Sequence, residues 1–297
     1  MFIVDSYALA VVFCFVTMLC WGSWGNTQKM AAKTWRYELF YWDYVIGMFL
    51  FALILSLTMG SFGSEGRPFL QDLGQASGAN ITSALLGGVI FNASNILLSA
   101  STALAGMAVA FPLGVGLALV LGVIINYAGA PKGDPVILFV GVALIVAAIV
   151  CNGIASGRMQ KGAGGNSNSR KGIVLAMVAG VLLSNFVFNT CVMKRPFVGA
   201  PVSYREYFTG SGTTHLVGML GGAVWCLGTA FSYIAAGKAG AAISYALGQG
   251  APMIAAVWGV FIWKEFKGAD RSVNTLLGVM FLFFIAGLGL IILSGGN

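Results

Sequence analysis

Charge is scarce in this chain. Asp, Glu, Lys and Arg make up 8% of its residues, against about 25% in soluble domains. There is one histidine, His215, at the edge of an apolar run, and no role is expected for it. No His, Cys, Asp and Glu set has metal-ligand spacing, and no nucleophile stands beside a base. An enzyme is therefore not expected, and neither a metal nor a cofactor is called for. The five cysteines, Cys14, Cys20, Cys151, Cys191 and Cys226, all lie in apolar segments. That excludes a disulfide framework and makes them small core residues. The net charge of +7 carries no nucleic-acid signal, because the basic residues sit in short loops between apolar runs.

What the chain has in abundance is hydrophobic length. Its residues are 58% hydrophobic and the mean hydropathy is +0.89. Apolar runs cover 7–28, 39–59, 81–103, 107–127, 136–155, 172–193, 215–236, 241–263 and 273–293. A bilayer asks for about 20 apolar residues per helix, so nine spans are countable. The first run lacks a basic leader and is long enough to span, so it is not a cleaved signal peptide. The expectation is an all-α integral membrane protein, multi-pass in the cell (inner) membrane.

One stretch has an echo. Leu86-Gly87-Gly88 and the residues after it fall over Leu220-Gly221-Gly222 at a shift of 134 positions. Gly106, Gly114 and Gly116 then fall over Gly240, Gly248 and Gly250. The first copy sets Asn92, Asn95, Ser99 and Thr102 on one helical face, and the second sets Cys226, Thr229 and Tyr233 under the first three. A repeat of this length in a membrane chain marks a duplicated transporter with its site between the halves. The Gly/Ser/Asn-rich segment 157–171 is the linker between a first repeat, 1–156, and a second, 172–297.

The second repeat is short. From its start to Leu220 it has 31 positions fewer than the first repeat has from Tyr7 to Leu86. The basic loops 29–36 and 158–171 lie an even number of spans apart, so both fit the cytoplasmic side, with the N-terminus outside. With one span at 172–193, Lys194, Arg195, Arg205, Lys264, Lys267 and Arg271 fall outside; with two, they fall inside. The positive-inside rule favours ten spans. Either 172–193 is a shortened or re-entrant element, or the chain is a deleted form of a ten-span protein.

The cavity faces hold amides, hydroxyls and aromatics with almost no charge, which suits a small neutral polar solute. Asn92, Asn95, Ser99 and Thr229 could bind it or could be interhelical glue. Trp21, Trp24, Phe111, Trp225, Tyr233 and Tyr245 could form a stacking platform, while Trp21 and Trp24 also fit an interfacial belt. Tyr245 and Gln249 share a face one turn before Pro252, which frees a backbone carbonyl. Asn126, Asn185 and Asn189 are weaker candidates. Asp43 is either an intramembrane proton relay or an exposed carboxylate at a helix start. Glu265 is expected to pair with Lys264 in a loop. Gly-x-Gly at 114–116 and at 248–250, and Gly218 with Gly222, are expected to pack helices closely.

Several motifs carry a family resemblance. They are Trp21-Gly22-Ser23-Trp24, Tyr41-Trp42-Asp43-Tyr44, the two Leu-Gly-Gly stretches, the run from Gly240 through Ser244-Tyr245 to Pro252, and Val257-Trp258-Gly259 through Lys264-Glu265-Phe266. Together they resemble the drug/metabolite transporter superfamily, and within it the ureide permease branch, which neighbours the glucose/ribose and rhamnose porters. The resemblance breaks near Val181-Leu182, where family members carry the rest of one span and the start of the next. It implies two inverted repeats of about five transmembrane helices, ten in all. It also implies a central cavity lined by the first, third and fourth helices of each half. Such proteins import sugars, ureides or nucleobases, usually with protons, by alternating access. The partners implied are a small-molecule substrate, a proton or other coupling ion, and the bilayer, with the protein a monomer or homodimer. The alternative is a drug or metabolite exporter of the same superfamily.

Overall fold

The computed structural model describes residues 2–32, 34–63, 66–105, 107–162 and 201–296. All regular structure among them is helical. In chain order the helices are α1 (Tyr7–Ser23), α2 (Gly25–Ala31), α3 (Tyr37–Leu57), α4 (Phe69–Gln75), α5 (Gly78–Ala105), α6 (Met107–Gly129) and α7 (Pro135–Gly162). Then come α8 (Tyr204–Phe208), α9 (Gly212–Ala239), α10 (Ala241–Gly248), α11 (Ala251–Val257), a π-helical turn (Trp258–Ile262) and α12 (Arg271–Gly295). Seven helical stretches among the described residues are long and apolar enough to cross a membrane. The protein is thus an all-α, multi-pass membrane protein. The expected span at 172–193, with Asn185, Asn189 and Cys191, lies outside the described residues.

Local sequence sets the helix starts. Ser6, Asp134, Ser203, Ser211 and Asp270 each accept a backbone N–H from the first turn that follows. Gly240 holds φ +92 between α9 and α10, a conformation that a side chain would strain. Pro252 has no N–H to offer the Gly248 carbonyl, and the span from 241 to 262 breaks there into α10 and α11.

Helix α9 lies between α1 and α3. It runs antiparallel to α1, where Phe13 stacks on Phe231 and Thr17 reaches the Gly228 carbonyl. It runs parallel to α3, where Asp43 meets His215 and Gly47 meets Met219. Both pairs of helices touch through glycine. A Cβ on Gly222 would overlap the Tyr44 carbonyl oxygen and sit 2.6 Å from the Met48 nitrogen. A Cβ on Gly218 would lie 2.5 Å from the Asp43 Cβ. These are the close approaches expected of Gly218 and Gly222. Helices α7 and α12 pack antiparallel in the same way, with Gly141 and Gly287 face to face. By contrast a Cβ on Gly87 or Gly88, the sequence counterparts of Gly221 and Gly222, would meet nothing within 4 Å outside its own helix backbone among the described residues.

This packing sorts the charges. Arg158 at the end of α7 donates to Ser272 at the start of α12. Lys29 pairs with Glu265, and the α8 residue Tyr207 donates to Asp43 near the start of α3. Lys29, Arg36, Arg158, Arg205, Lys264, Lys267 and Arg271 therefore gather at one end of the bundle. Both described flanks of the linker, α7 and α8, reach that end.

Candidate functional site

Two clusters join the halves of the chain. The first is aromatic. Trp21 of α1 lies nearly parallel to Trp225 of α9, with ring centroids 6.3 Å apart. Phe91 of α5 also packs on Trp225, tilted, with centroids 4.5 Å apart. The Trp21 indole N–H donates to Thr229 Oγ1 at 3.2 Å, and Thr229 donates in turn to the Trp225 carbonyl at 3.0 Å. Trp21 can lie so deep because Gly248 leaves room; a Cβ there would stand 2.8 Å from its ring. At the helix break beside Gly248, the half-buried amide of Gln249 makes no hydrogen bond to a described residue. The three rings pack on one another here; aromatic faces and a primary amide are the groups that can stack a planar or ring-shaped solute and hydrogen-bond its edge once the rings part.

The other expected site residues fall around this cluster. Asn95, 8% exposed, donates to the Tyr44 hydroxyl at 3.3 Å, and Tyr44 packs on Trp24 at 5.0 Å. Asn95 and Trp24 thus form one layer with α3, toward the basic end. Tyr245 turns the other way: its hydroxyl donates to the Ala118 carbonyl of α6 at 3.0 Å and its ring lies against Gly122. Tyr233 is 76% exposed on the outer surface of α9. Asn126 bonds within its own helix, to the Gly122 carbonyl. The side chains of Asn92, Ser99 and Phe111 lie outside the described residues.

The second cluster surrounds Asp43. Its residue is 1% exposed and lies six positions into α3. It is not an exposed carboxylate at a helix start. His215 Nδ1 stands 2.8 Å from Oδ1 and 2.9 Å from Oδ2, and the Tyr207 hydroxyl donates to Oδ1 at 2.6 Å. Trp35 packs edge-on against the imidazole with centroids 5.1 Å apart. Burial, then the hydrogen bond to Asp43, push the Tyr207 phenol above its ordinary range, so it stays a donor. His215 and Tyr207 were invisible in sequence as site residues. His215 is 172 positions from Asp43, and nothing short of the fold brings them together. Near the same end Glu38 is also buried, and Arg36 holds it at 2.8 Å.

The basic end is latched between the halves. Glu265 pairs with Lys29 of α2 rather than with neighbouring Lys264. Lys264 itself has a left-handed backbone, φ +53, which turns Glu265 back toward α2. Lys29 also lies over the Trp263 ring, 4.6 Å from its centroid. Trp263 donates to Asn26 at 2.6 Å and Trp258 to Ser23 at 2.9 Å. Behind the latch is a cavity of about 30 Å³ lined by Asn152, Ser156, Pro252 and Glu265, among others. That is room for about one water.

Spanning helices and a helix broken beside an aromatic cluster shared by both halves of the chain are features that membrane transporters have. The comparisons with known proteins give the family. The ureide permease family model matches residues 40–162 and 172–294, and the chain belongs to that family. It aligns end to end with Ureide permease 1 of Arabidopsis thaliana at 20% identity, over 393 positions, more than this chain's 297 residues. Ureide permease 2 of Arabidopsis thaliana is 29% identical over 52% of this chain and 40% of its own length. Probable ureide permease A3 of Vigna unguiculata is 28% identical over 50% of this chain and 40% of its own length.

Proposed function

We propose that this chain is a secondary active transporter importing a small neutral polar solute of the ureide, nucleobase, nucleoside or sugar class, coupled to protons. The observation that carries the reading is the packed cluster of Trp21, Phe91 and Trp225 beside the Gln249 amide at a helix break, which the transport cycle would open around the solute. A ureide offers a flat face and a rim of N–H and C=O groups, which a stacking pair and a primary amide complement. The family and the names of its relatives point to ureides first. Transport then runs by alternating access between a first half, 1–156, and a second, 172–297, across the linker 157–171. The latch of Lys29, Trp263 and Glu265 is the closed gate of the basic end, which the positive-inside rule makes cytoplasmic. Asp43, buried inside a span, is the coupling carboxylate.

Binding tests the cleft directly. Allantoin is titrated into purified protein by isothermal calorimetry, with Trp225→Ala and Gln249→Ala beside the parent. The reading expects binding to the parent and at least tenfold weaker binding to each variant, about the 1.4 kcal/mol of one hydrogen bond or stacking contact. Unchanged affinity in both folded variants would remove the cleft from the site.

A further inference from the structure

We propose that Asp43 and His215, buttoned together by Tyr207, are the proton-binding site of the transport cycle, and that the proton enters and leaves at Nε2 of His215. This rests on the proton-coupled reading above, and it names the atom that does the work. The hydrogen bonds fix the chemistry. Both Asp43 oxygens face His215 Nδ1, and the carboxylate can only accept. Nδ1 therefore carries the hydrogen. Tyr207 adds a second donor on Oδ1, locking the carboxylate's orientation and with it the ring's. A neutral imidazole with hydrogen on Nδ1 leaves the Nε2 lone pair as the free base.

Access and charge point to the same atom. The Asp43 side chain is 2% exposed, while that of His215 is 21% exposed, so water reaches the imidazole and not the carboxylate. Gly210 packs beside Nε2: a Cβ there would overlap the Trp35 ring and stand 2.9 Å from that nitrogen, so glycine is what leaves Nε2 without a side chain over it at this position. The charges facing the pair are few. On α3, Glu38 is engaged by Arg36. On α8, Tyr207 points in as a neutral donor while Glu206 bonds Ser203 at that helix's own start. Trp35 contributes a ring edge. Deprotonated, the pair is one buried negative charge, and the cation among these groups, Arg36, is engaged by Glu38. With a proton on Nε2 it becomes an ion pair of zero net charge. The difference falls on the α3–α9 contact, because Asp43 belongs to one helix and His215 to the other. A buried charge left without its partner is strongly unfavourable, so losing the proton favours parting α3 from α9. Helix α9 also carries Trp225 ten residues on, about 15 Å along the same rod. A shift of α9 at His215 is felt in the aromatic cleft. Loading breaks an O–H bond of hydronium as N–H forms, and release reverses it; for import the proton is loaded from the side opposite the basic end and released to water at the basic end.

The chain has one histidine, which makes the test clean. Protein labelled with 15N-histidine and placed in lipid nanodiscs gives a single imidazole spectrum. The wild type is expected to show hydrogen on Nδ1, and Asp43→Asn to shift the hydrogen toward Nε2. A wild-type ring with hydrogen on Nε2, or a tautomer that ignores Asp43→Asn, overturns the proposal. The second arm is allantoin uptake into proteoliposomes with a pH gradient of one unit. For one proton per solute this gradient supports about tenfold accumulation. The wild type is expected to accumulate, and His215→Gln to fall to about onefold; accumulation by folded His215→Gln at the wild-type level and pH profile overturns the proposal. If the wild type ignores the gradient while exchanging allantoin, the proton-coupled reading fails, and the coupling role assigned to the pair fails with it. Should allantoin not be transported at all, the solute assignment fails, and the nanodisc spectrum alone decides the proton site.

Discussion

Gly222→Ala is the sharpest perturbation of the packing that holds the two halves together. The added Cβ would stand 2.6 Å from the Met48 nitrogen, and tighter still against the Tyr44 carbonyl oxygen. Both are backbone atoms of α3, so no side chain can swing away. Ordinary contact begins at 3.4 Å, so α9 must retreat from α3 by at least 0.8 Å. The Asp43–His215 hydrogen bond, 2.8 Å long two turns away, would open to about 3.6 Å if the helices part as rods. Overpacking of this kind costs about 1–3 kcal/mol. Gly88→Ala is the matched control. It is the repeat counterpart of Gly222, lies in a helix and meets nothing within 4 Å among the described residues. There the better helix former is expected to be neutral or to stabilise by up to about 1 kcal/mol. Thermal unfolding of the two purified variants in one detergent is the assay, with Gly222→Ala melting several degrees below the parent and Gly88→Ala not. Equal melting points for the two variants would refute the parallel α3–α9 contact.

Three further outcomes follow from the geometry. Lys29→Glu should weaken closure of the basic end, and pairing it with Glu265→Lys should restore transport toward the parent, because the swapped ion pair is rebuilt; a double variant no better than the single would show that the pair is not a latch. Tyr245→Phe leaves the Ala118 carbonyl without its donor, so it should lose about 0.5–1.5 kcal/mol of stability in a melting experiment while solute affinity is kept; lost affinity at unchanged stability would return Tyr245 to the binding site. Asp270 caps α12, and the Val273 N–H together with Ser272 hold its carboxyl below the usual carboxylate range. Its contribution is complete above the ordinary carboxylate pKa and is lost as pH falls through the lower folded value, so Asp270→Asn should narrow the gap in melting temperature between pH 7 and pH 3 relative to the parent, and an unchanged gap would count against the cap.

Much of the fold was legible because the bilayer leaves a coarse signature. Long apolar runs gave the spans; the run 241–263 reads as one span with Pro252 freeing a carbonyl inside it, and the helix breaks there into α10 and α11. Trp21, Trp225 and Thr229, expected together from the sequence, do meet, because α1 and α9 pack with those faces toward each other. Tyr233 shows where that reasoning drifts. Eight residues past Trp225, at 3.6 residues per turn, it has rotated about 80° from it, and it ends on the outer surface. The contacts at the basic end were not legible. Asp43 with His215 and Lys29 with Glu265 are pairs far apart in sequence, set by which helices run parallel. Helix composition carries no such information. Charge did carry some: the positive-inside argument placed Arg205, Lys264 and Arg271 with Lys29 and Arg36, and the packing gathers them at one end.

The central claim is transport, and uptake measures it most directly. Purified protein in proteoliposomes would be offered allantoin, uracil, a nucleoside, ribose, glucose and rhamnose, with and without an inward proton gradient. The account predicts accumulation of one of these classes, ureides first, only when the gradient is present, and its loss in Trp225→Ala. Folded protein that accumulates none of them under either condition would contradict it.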